Sequence, residues 1–593
     1  MSISLRVDLG APLTTAPYLR SRLARLRPAH LWPWTLLLLM ALMVAVPLGF
    51  LVLGSFSSGR FLGEIDLAAL TLDNYRVVWG SPATHAVFAN TMIYAFGAIA
   101  IGVPLAVTLA FLVERTNIPC KIWIYAGVTL CLAMPGLLQS MAYVLLLSPK
   151  IGFINRFLMD VLGLAAAPFN VYGLGGMAFV EGLRLVPTAF LMMLPLLRNM
   201  DPLLEEAATI SGAGPLSVLR RVTTPLMLPG IVAVLIYQLV SALEVFEVPS
   251  IIGMPAGIYV FSTRIYAVLH TTSALPDYGK ANALAILYLF IAVAMTAIYL
   301  KVINRAERFS IITGKGYRPR AIDLGPWRWV ALALVLVYLL AAIVLPFMVL
   351  AYASFLPYLQ VPSTRAFQSF SWSNYRKVLD TELIGVAVRN TLVMTAAAAT
   401  LTVVLSFLIS VVVVRSKFWG RKLLDQLAFM PHAIPGMVMA LAFLWVFLKI
   451  DVLGLPIFGT IWSMVIAFTI SFVAYGTRTM NAAILQIHRD LEEAALISGA
   501  SPWRTVRRIF VPLVMPSMVG LWIWAVLHAV RAAGLPLMLY QGANNQVLSV
   551  MIWNMWTDGA IVQVGAVATV MILILLMLTL LLRALGFGRS AVR

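Results

Sequence analysis

Glu205-Glu206-Ala207-Ala208-Thr209-Ile210-Ser211-Gly212, followed by Val222-Thr223-Thr224-Pro225, has a second copy in the same chain: Glu492-Glu493-Ala494-Ala495-Leu496-Ile497-Ser498-Gly499, followed by Ile509-Phe510-Val511-Pro512. The copies stand 287 residues apart (493 − 206), and the spacing from alanine pair to glycine to proline holds in both. Recurrence of so long a spaced pattern, each time between two long apolar stretches, argues for internal duplication. Asp201-Pro202 and Arg489-Asp490 open the copies as N-caps, the acidic residues sit at the positive end of the helix dipole, and Gly212 or Gly499 ends the turn. Arg220 and Arg221, like Arg504, Arg507 and Arg508, fall on a second short helix before the proline that opens the next apolar stretch. These residues predict two charged knuckles of two short helices each. The plainer alternative is an amphipathic interfacial helix with snorkelling arginines; the duplication weighs against it.

Working outward, the flanks set the class. Of 593 residues 62% are hydrophobic and only 11% charged, against about 25% charged in average soluble proteins, so the chain is a polytopic membrane protein. Stretches of about 20 apolar residues suffice to cross a hydrocarbon core of roughly 30 Å. Twelve are expected, over 34–54, 88–113, 123–147, 173–197, 225–249 and 282–302, then 329–353, 388–414, 424–449, 457–480, 514–538 and 562–583. The net charge of +19 raises the question of nucleic acid, and its distribution answers it. Arg20, Arg22, Arg25 and Arg27, then Lys301, Arg305, Arg308, Lys315, Arg318 and Arg320, then Arg583, Arg589 and Arg593 all flank spans and fall on one side if every span crosses. This positive-inside pattern places both termini and the central linker in the cytosol, where the arginines meet anionic lipid rather than nucleic acid. The first span is too long for a cleaved signal and is expected to stay as a helix. Cys120 and Cys131 neither cluster with histidines nor suggest a disulfide.

The repeat extends beyond the knuckles. Asp73-Asn74-Tyr75-Arg76 recurs as Ser373-Asn374-Tyr375-Arg376, Asn90-Thr91 as Asn390-Thr391, and Met134-Pro135-Gly136 as Ile434-Pro435-Gly436, each at an offset of 300, after which the offset falls to 287. An extra 13 residues (300 − 287) within 148–172 of the first half account for the shift. Each half has six spans, so the halves run parallel, related by an axis along the membrane normal. The expected architecture is all-α: a tail over 1–30, a six-span unit over 31–302 with its knuckle at 201–225, a basic linker over 303–328, and a second unit over 329–593 with its knuckle at 489–512.

The knuckle pattern, E-A-A, three residues, G, nine residues, I-x-L-P, resembles the permease subunits of binding-protein-dependent ATP-binding-cassette importers; Val222, Thr224 and Val511 depart from it. Two such domains in one chain look most like the ferric-iron and thiamine subfamily, with phosphonate and polyamine importers as near relatives, on overall similarity that includes Glu244-Val245-Phe246-Glu247-Val248-Pro249 and Pro255-Ala256-Gly257-Ile258-Tyr259. The resemblance implies that the knuckles dock on two ATPase subunits in the cytosol, that a periplasmic or lipid-anchored binding protein delivers cargo, and that the chain lies in a bacterial inner membrane. The coupling residues would be Glu205, Glu206, Ala207, Ala208, Gly212, Arg220 and Arg221, with Glu492, Glu493, Ala494, Ala495, Gly499, Arg507 and Arg508 in the second copy. Ferric iron is the expected cargo, with thiamine, 2-aminoethylphosphonate or polyamine as alternatives. A stand-alone channel or ion-coupled carrier is the different-class alternative, but it has no reason to carry two cytosolic knuckles.

The chain encodes no ATP chemistry of its own. A P-loop needs G-x-x-x-x-G-K-[S/T], and Gly314-Lys315-Gly316 lacks its spacing and hydroxyl, so ATP and magnesium act on the partners and no catalytic or resident metal site is expected here. Intramembrane ionisable residues mark pathways or internal pairs. Glu244 and Glu247, three apart, are expected on one helical face; the 287 offset puts Arg531 opposite Glu244. A gate made by Glu244 and Arg531, a carboxylate ligand set suited to a hard cation and a structural ion pair are the readings left open. Glu181 and Arg184 read as an intrahelical pair. The stretches 55–87, 148–172, 250–281 and 535–561 are expected as external loops.

Overall fold

The computed structural model describes residues 32–57, 70–198, 203–270, 276–306, 322–449 and 456–584. Ten of its helices have the length and apolarity to cross a membrane, with mean hydropathy from 1.3 to 2.8 over their most apolar stretches. They occupy ten of the twelve expected spans. The other two, expected as continuous at 123–147 and 424–449, are broken: Lys121–Ala133 meets Gly136–Leu147 at 96°, and Arg421–Ala433 meets Gly436–Lys449 at 110°. The cause is Pro135 and Pro435. Proline drives the residue before it out of the α region, and Met134 (ψ 118°) and Ile434 (ψ 120°) are extended. Unbroken apolarity across both sites hid the breaks from a reading of hydropathy.

The fifth span of each half also ends earlier than expected. Thr224–Glu244 and Val511–Arg531 stop at Val245 (φ −67°, ψ 133°) and Ala532 (φ −70°, ψ 133°), the same conformation at matching places. Beyond them, the stretches expected as external loops at 250–281 and 535–561 fold back into the bundle. Ser250, Ile251, Ile252, Leu535, Leu537, Met538 and Leu539 are all buried. Their place between the expected spans had made them loops, but their apolar side chains need cover. Backbone inside a membrane protein must find internal partners, and the repeated Asn-Thr pairs supply them. Asn90 Nδ2 donates to Tyr259 O (3.2 Å), and Asn390 Nδ2 to Asn544 O (2.9 Å) and Gln546 O (3.0 Å). Thr91 and Thr391 Oγ1 accept from Phe261 N (3.1 Å) and Leu548 N (2.8 Å), where the helices Phe261–Leu269 and Leu548–Thr557 begin. The repeated Asn-Tyr pairs work alike: Asn74 ties down the carbonyls of Ser55 and Ser57, and Asn374 those of Ser354 and Leu356.

The halves interlock. The first helix of each half packs on the second limb of the other's broken span, Trp32–Ser55 on Gly436–Lys449 and Leu345–Ser354 on Gly136–Leu147. A π-turn at Leu340–Val344 displaces carbonyls from the helical ladder, and Tyr143 and Gln139 donate to two of them, Ala341 O (2.8 Å) and Ala342 O (3.2 Å). On the other side Trp445 Nε1 donates to Asn282 Oδ1 (3.0 Å). Gly54 leaves room there, since a Cβ on it would lie 2.4 Å from Asn282 Nδ2. One buried apolar core runs through both halves. The extra segment 148–172 forms the helix Phe153–Leu162, pinned by buried Asn155 to the carbonyls of Leu147, Ser148 and Phe169.

Candidate functional site: the paired knuckles and the charged closure

Each knuckle begins as a short helix, Leu203–Ile210 or Arg489–Ile497. Gly212 (φ +84°) and Gly499 (φ +78°) adopt the left-handed conformation. Ala213 N donates to Ala208 O (3.0 Å) and Ala500 N to Ala495 O (2.9 Å), closing each helix in the six-to-one manner that needs such a residue. The expected cap at Asp201-Pro202 lies outside the described residues. The second short helix does not stand alone as expected. Pro215–Val218 runs through a π-turn at Leu219–Thr223 into the fifth span, as Pro502–Thr505 does through Val506–Phe510. Pro225 and Pro512 sit in the first turn beyond, where their missing N–H costs least. Arg220, Arg221, Arg507 and Arg508, exposed on these π-turns, are therefore rigidly joined to the span.

The side chains of the knuckles divide into two sets. Ile210 and Ile497, at the same place in both copies, are 87% and 88% exposed. Glu205 turns inward instead: its Oε2 lies 3.2 Å from Arg115 Nη1 and its Oε1 accepts from Thr223 Oγ1 at 2.6 Å. Arg115, only 3% exposed, closes the long helix Pro82–Arg115. In the second half Arg415 Nη1 is 3.9 Å from Glu492 Oε2, while Nη2 donates to Ile484 O (2.8 Å) and Ile487 O (2.5 Å). The sequence reading missed both arginines; the 300-residue offset that relates Arg115 to Arg415 was the available signal. Glu206 is half-buried and Glu493 exposed.

At the opposite end of the fifth spans lies a cluster of charged side chains. Arg184 grips Glu181 with two hydrogen bonds, Nε to Oε2 at 2.8 Å and Nη2 to Oε1 at 2.6 Å, so the intrahelical pair forms. The chain's direct Glu244 to Arg531 contact does not: no ion pair joins them. Arg531 Nε donates to Leu527 O (3.1 Å), and its Nη1 to Leu132 O, at the break in the other half's third span. Glu247 Oε1 accepts from Ala533 N at 3.3 Å, again across the halves. Glu244 Oε1 is buried without a hydrogen-bond partner. Nor do Glu244 and Glu247 share a helical face, because the extended Val245 separates them. The halves approach closely here: a Cβ on Gly534 would lie 3.2 Å from Phe246 Cβ.

Parallel halves, interlocked broken spans and paired knuckles define a duplicated, multi-pass membrane permease. Residues 98–308 and 402–587 match the family of binding-protein-dependent transport system inner membrane components. The chain belongs to that family and carries its domain twice. Among its relatives, the putative ferric transport system permease protein FbpB 1 of Haemophilus influenzae is 25% identical over 379 residues, 64% of this chain and 58% of that one. The ferric transport system permease protein FbpB of Actinobacillus pleuropneumoniae is 25% identical over 444 residues, 74% of this chain and 62% of that one. The matched stretches thus span 58% and 62% of these relatives' lengths. A chain of a bacterial ABC transporter that imports alginate is similar at 17% identity, covering 44% of this chain and 96% of that one, with a TM-score of 0.35.

Proposed function

We propose that this chain is the fused transmembrane subunit of an ATP-driven importer in a bacterial inner membrane, with its knuckles, linker and termini in the cytosol. The observation that carries the reading is the twofold display of Ile210 and Ile497 on helices closed by left-handed glycines. Exposed isoleucines on a rigid charged support suit insertion into a groove on each of two ATPase subunits. Those subunits hydrolyse ATP, and the π-turns carry their motion directly into the fifth spans. A binding protein presents the cargo at the opposite face.

In this reading the contacts of Glu247 with Ala533 N and of Arg531 with Leu132 O close the route at the end remote from the knuckles. Each half sends one side chain to the other's backbone, so separating the halves breaks both. Glu244, with an unpartnered oxygen below that closure, is the carboxylate left for cargo. Ferric iron, a hard cation suited to carboxylate oxygen, is the proposed cargo, supported by the relatives' names. The test is uptake of radiolabelled ferric iron into proteoliposomes holding the chain, its ATPase subunits and its binding protein. ATP-dependent ferric uptake, lost in Glu244→Gln, is expected. Uptake of thiamine, 2-aminoethylphosphonate or spermidine instead would reassign the cargo, and uptake without ATP would overturn the importer reading.

A further inference from the structure

The two knuckles are built on the same plan but are not held in the same way. Behind the first, Arg115 holds Glu205 at 3.2 Å, and Arg115 and Asn117, on either side of Thr116, bind the far end of the inter-half linker. Ile322 N donates to Arg115 O (2.8 Å) and Asn117 N to Ile322 O (3.0 Å), a short parallel bridge between the first half and the stretch leading into the second. Asn117 Nδ2 donates to Asp323 Oδ1 (2.5 Å), and Asn117 Oδ1 accepts from Leu324 N (3.0 Å). Asp323 Oδ1 also accepts from Gly325 N at 2.9 Å, which fixes the turn into the helix that starts at Trp327. A continuous hydrogen-bonded path therefore runs from the start of the second half, through Asp323, Asn117 and Arg115, to Glu205 on the first knuckle and on to Thr223 at the foot of the fifth span.

The second knuckle has no such strap among the described residues. Arg415 lies 3.9 Å from Glu492 and its Nη2 donates to Ile484 O and Ile487 O; Ser416 bonds back into its own helix at Val412 O just as Thr116 does at Leu112 O, but no counterpart of the bridge from Ile322 lies among the described residues. The difference has a physical consequence. A buried arginine whose Nη1 meets a carboxylate makes a directional, charge-assisted bond, and the strap fixes the backbone from which that arginine projects. At the second knuckle the arginine caps carbonyls at the end of Ile461–Leu485, so the carboxylate is held loosely.

We infer that residues 322–325 form a strap that positions the first knuckle through Arg115, making the two ATPase-docking loops non-equivalent, with Asn117 and Asp323 as positioning residues. The inference rests on the reading that the knuckles dock on ATPase subunits. Asp323 is suited to the part: the Gly325 N–H, then Asn117, hold its carboxyl below the usual aspartate range, so it stays an acceptor at neutral pH.

The test uses the full complex with its ATPase subunits, in a chain carrying Cys120→Ser and Cys131→Ser. A single cysteine is placed at Ile210 or Ile497, labelled with a benzophenone maleimide and photo-crosslinked to the ATPase subunit. In the otherwise unchanged chain both positions should crosslink. Asn117→Ala with Asp323→Ala should lower the yield at Ile210→Cys at least threefold and leave Ile497→Cys unchanged, which also shows that the chain has folded. Arg115→Gln should reproduce the effect, and Asp323→Asn, which keeps an acceptor oxygen, should restore most of the yield. Equal yields at the two positions in the Asn117→Ala, Asp323→Ala chain overturn the strap while leaving the docking reading standing. No crosslink at either position in the parent overturns docking, and the strap with it.

Discussion

Arg531 and Glu244 occupy matching positions, each the last residue of its fifth helix, and opposite charge at equivalent places invites a pair. The structure spends Arg531 on two carbonyls and leaves a Glu244 oxygen unpartnered. Exchanging the two charges should therefore rescue nothing: the swapped chain is expected to be as impaired in uptake as Glu244→Gln alone. Recovery of transport by the swap would show that the pair forms in another state. Arg531→Ala should act differently, by loosening the closure. A hydrogen bond from a charged donor contributes about 1.5–3 kcal/mol, so ATP hydrolysis in the absence of binding protein should rise by about tenfold or more. A steady ATPase rate in that variant would remove Arg531 from the closure. At Asp323 the sign follows from the lowered carboxyl pKa: the strap's contribution is present above the ordinary aspartate value of about 3.9 and is lost as pH falls through the lowered one. The crosslink ratio between the two knuckles should accordingly be flat from about pH 5 to 8; a change within that range would point to another group.

Elements carry the next set of consequences. Gly499 at φ +78° closes its helix with open space around it, so Gly499→Val meets no clash and suffers only the backbone cost. A β-branched side chain held left-handed costs about 1–2 kcal/mol, and the chain should escape by unwinding the helix end and misdirecting Ile497. Normal membrane insertion with at least a fivefold loss of stimulated ATPase activity is expected, read on the purified complex. The folded-back segments depend on their asparagines. Asn390→Ala strands the buried carbonyl of Gln546, which costs about 1–3 kcal/mol, and also loses the bond to the carbonyl of exposed Asn544. Its melting temperature in detergent should fall further than that of Asn90→Ala, which loses one longer bond.

At the level of the whole molecule, the exchange of first helices makes each half part of the other's core. Residues 1–306 and 307–593, expressed separately, should each be degraded or aggregate, whereas co-expression should restore a complex that copurifies. Two halves stable on their own would show that the interlocking contributes little. Trp445→Phe removes the donor to Asn282 and should lower the melting temperature of the joined chain, with Tyr143→Phe acting on the other side.

Much of this was legible along the chain. The spaced Glu-Ala-Ala-Gly-Pro pattern and its 287-residue recurrence sufficed for the duplication and the family, because a motif that must close a helix with a left-handed residue leaves a local signature, and the even count of spans in each half made the halves parallel. Apolar runs of sufficient length located ten spans for the same reason: hydropathy is a property of consecutive residues. What consecutive residues could not show was which apolar run would break, fold back or cross to the other half. Pro135 and Pro435 bend their spans by about a right angle, and Gly534 admits Phe246, only because partners far along the chain take up the freed backbone groups. The inward turn of Glu205 to Arg115 and the strap from Asp323 to Asn117 are likewise decided by residues 90 and 206 positions apart meeting in space, and the Glu244 oxygen is left over by the same packing. Charge and spacing named the ionisable groups; tertiary packing chose their partners, because in a low-dielectric interior each takes the nearest donor or acceptor that the folded backbone presents.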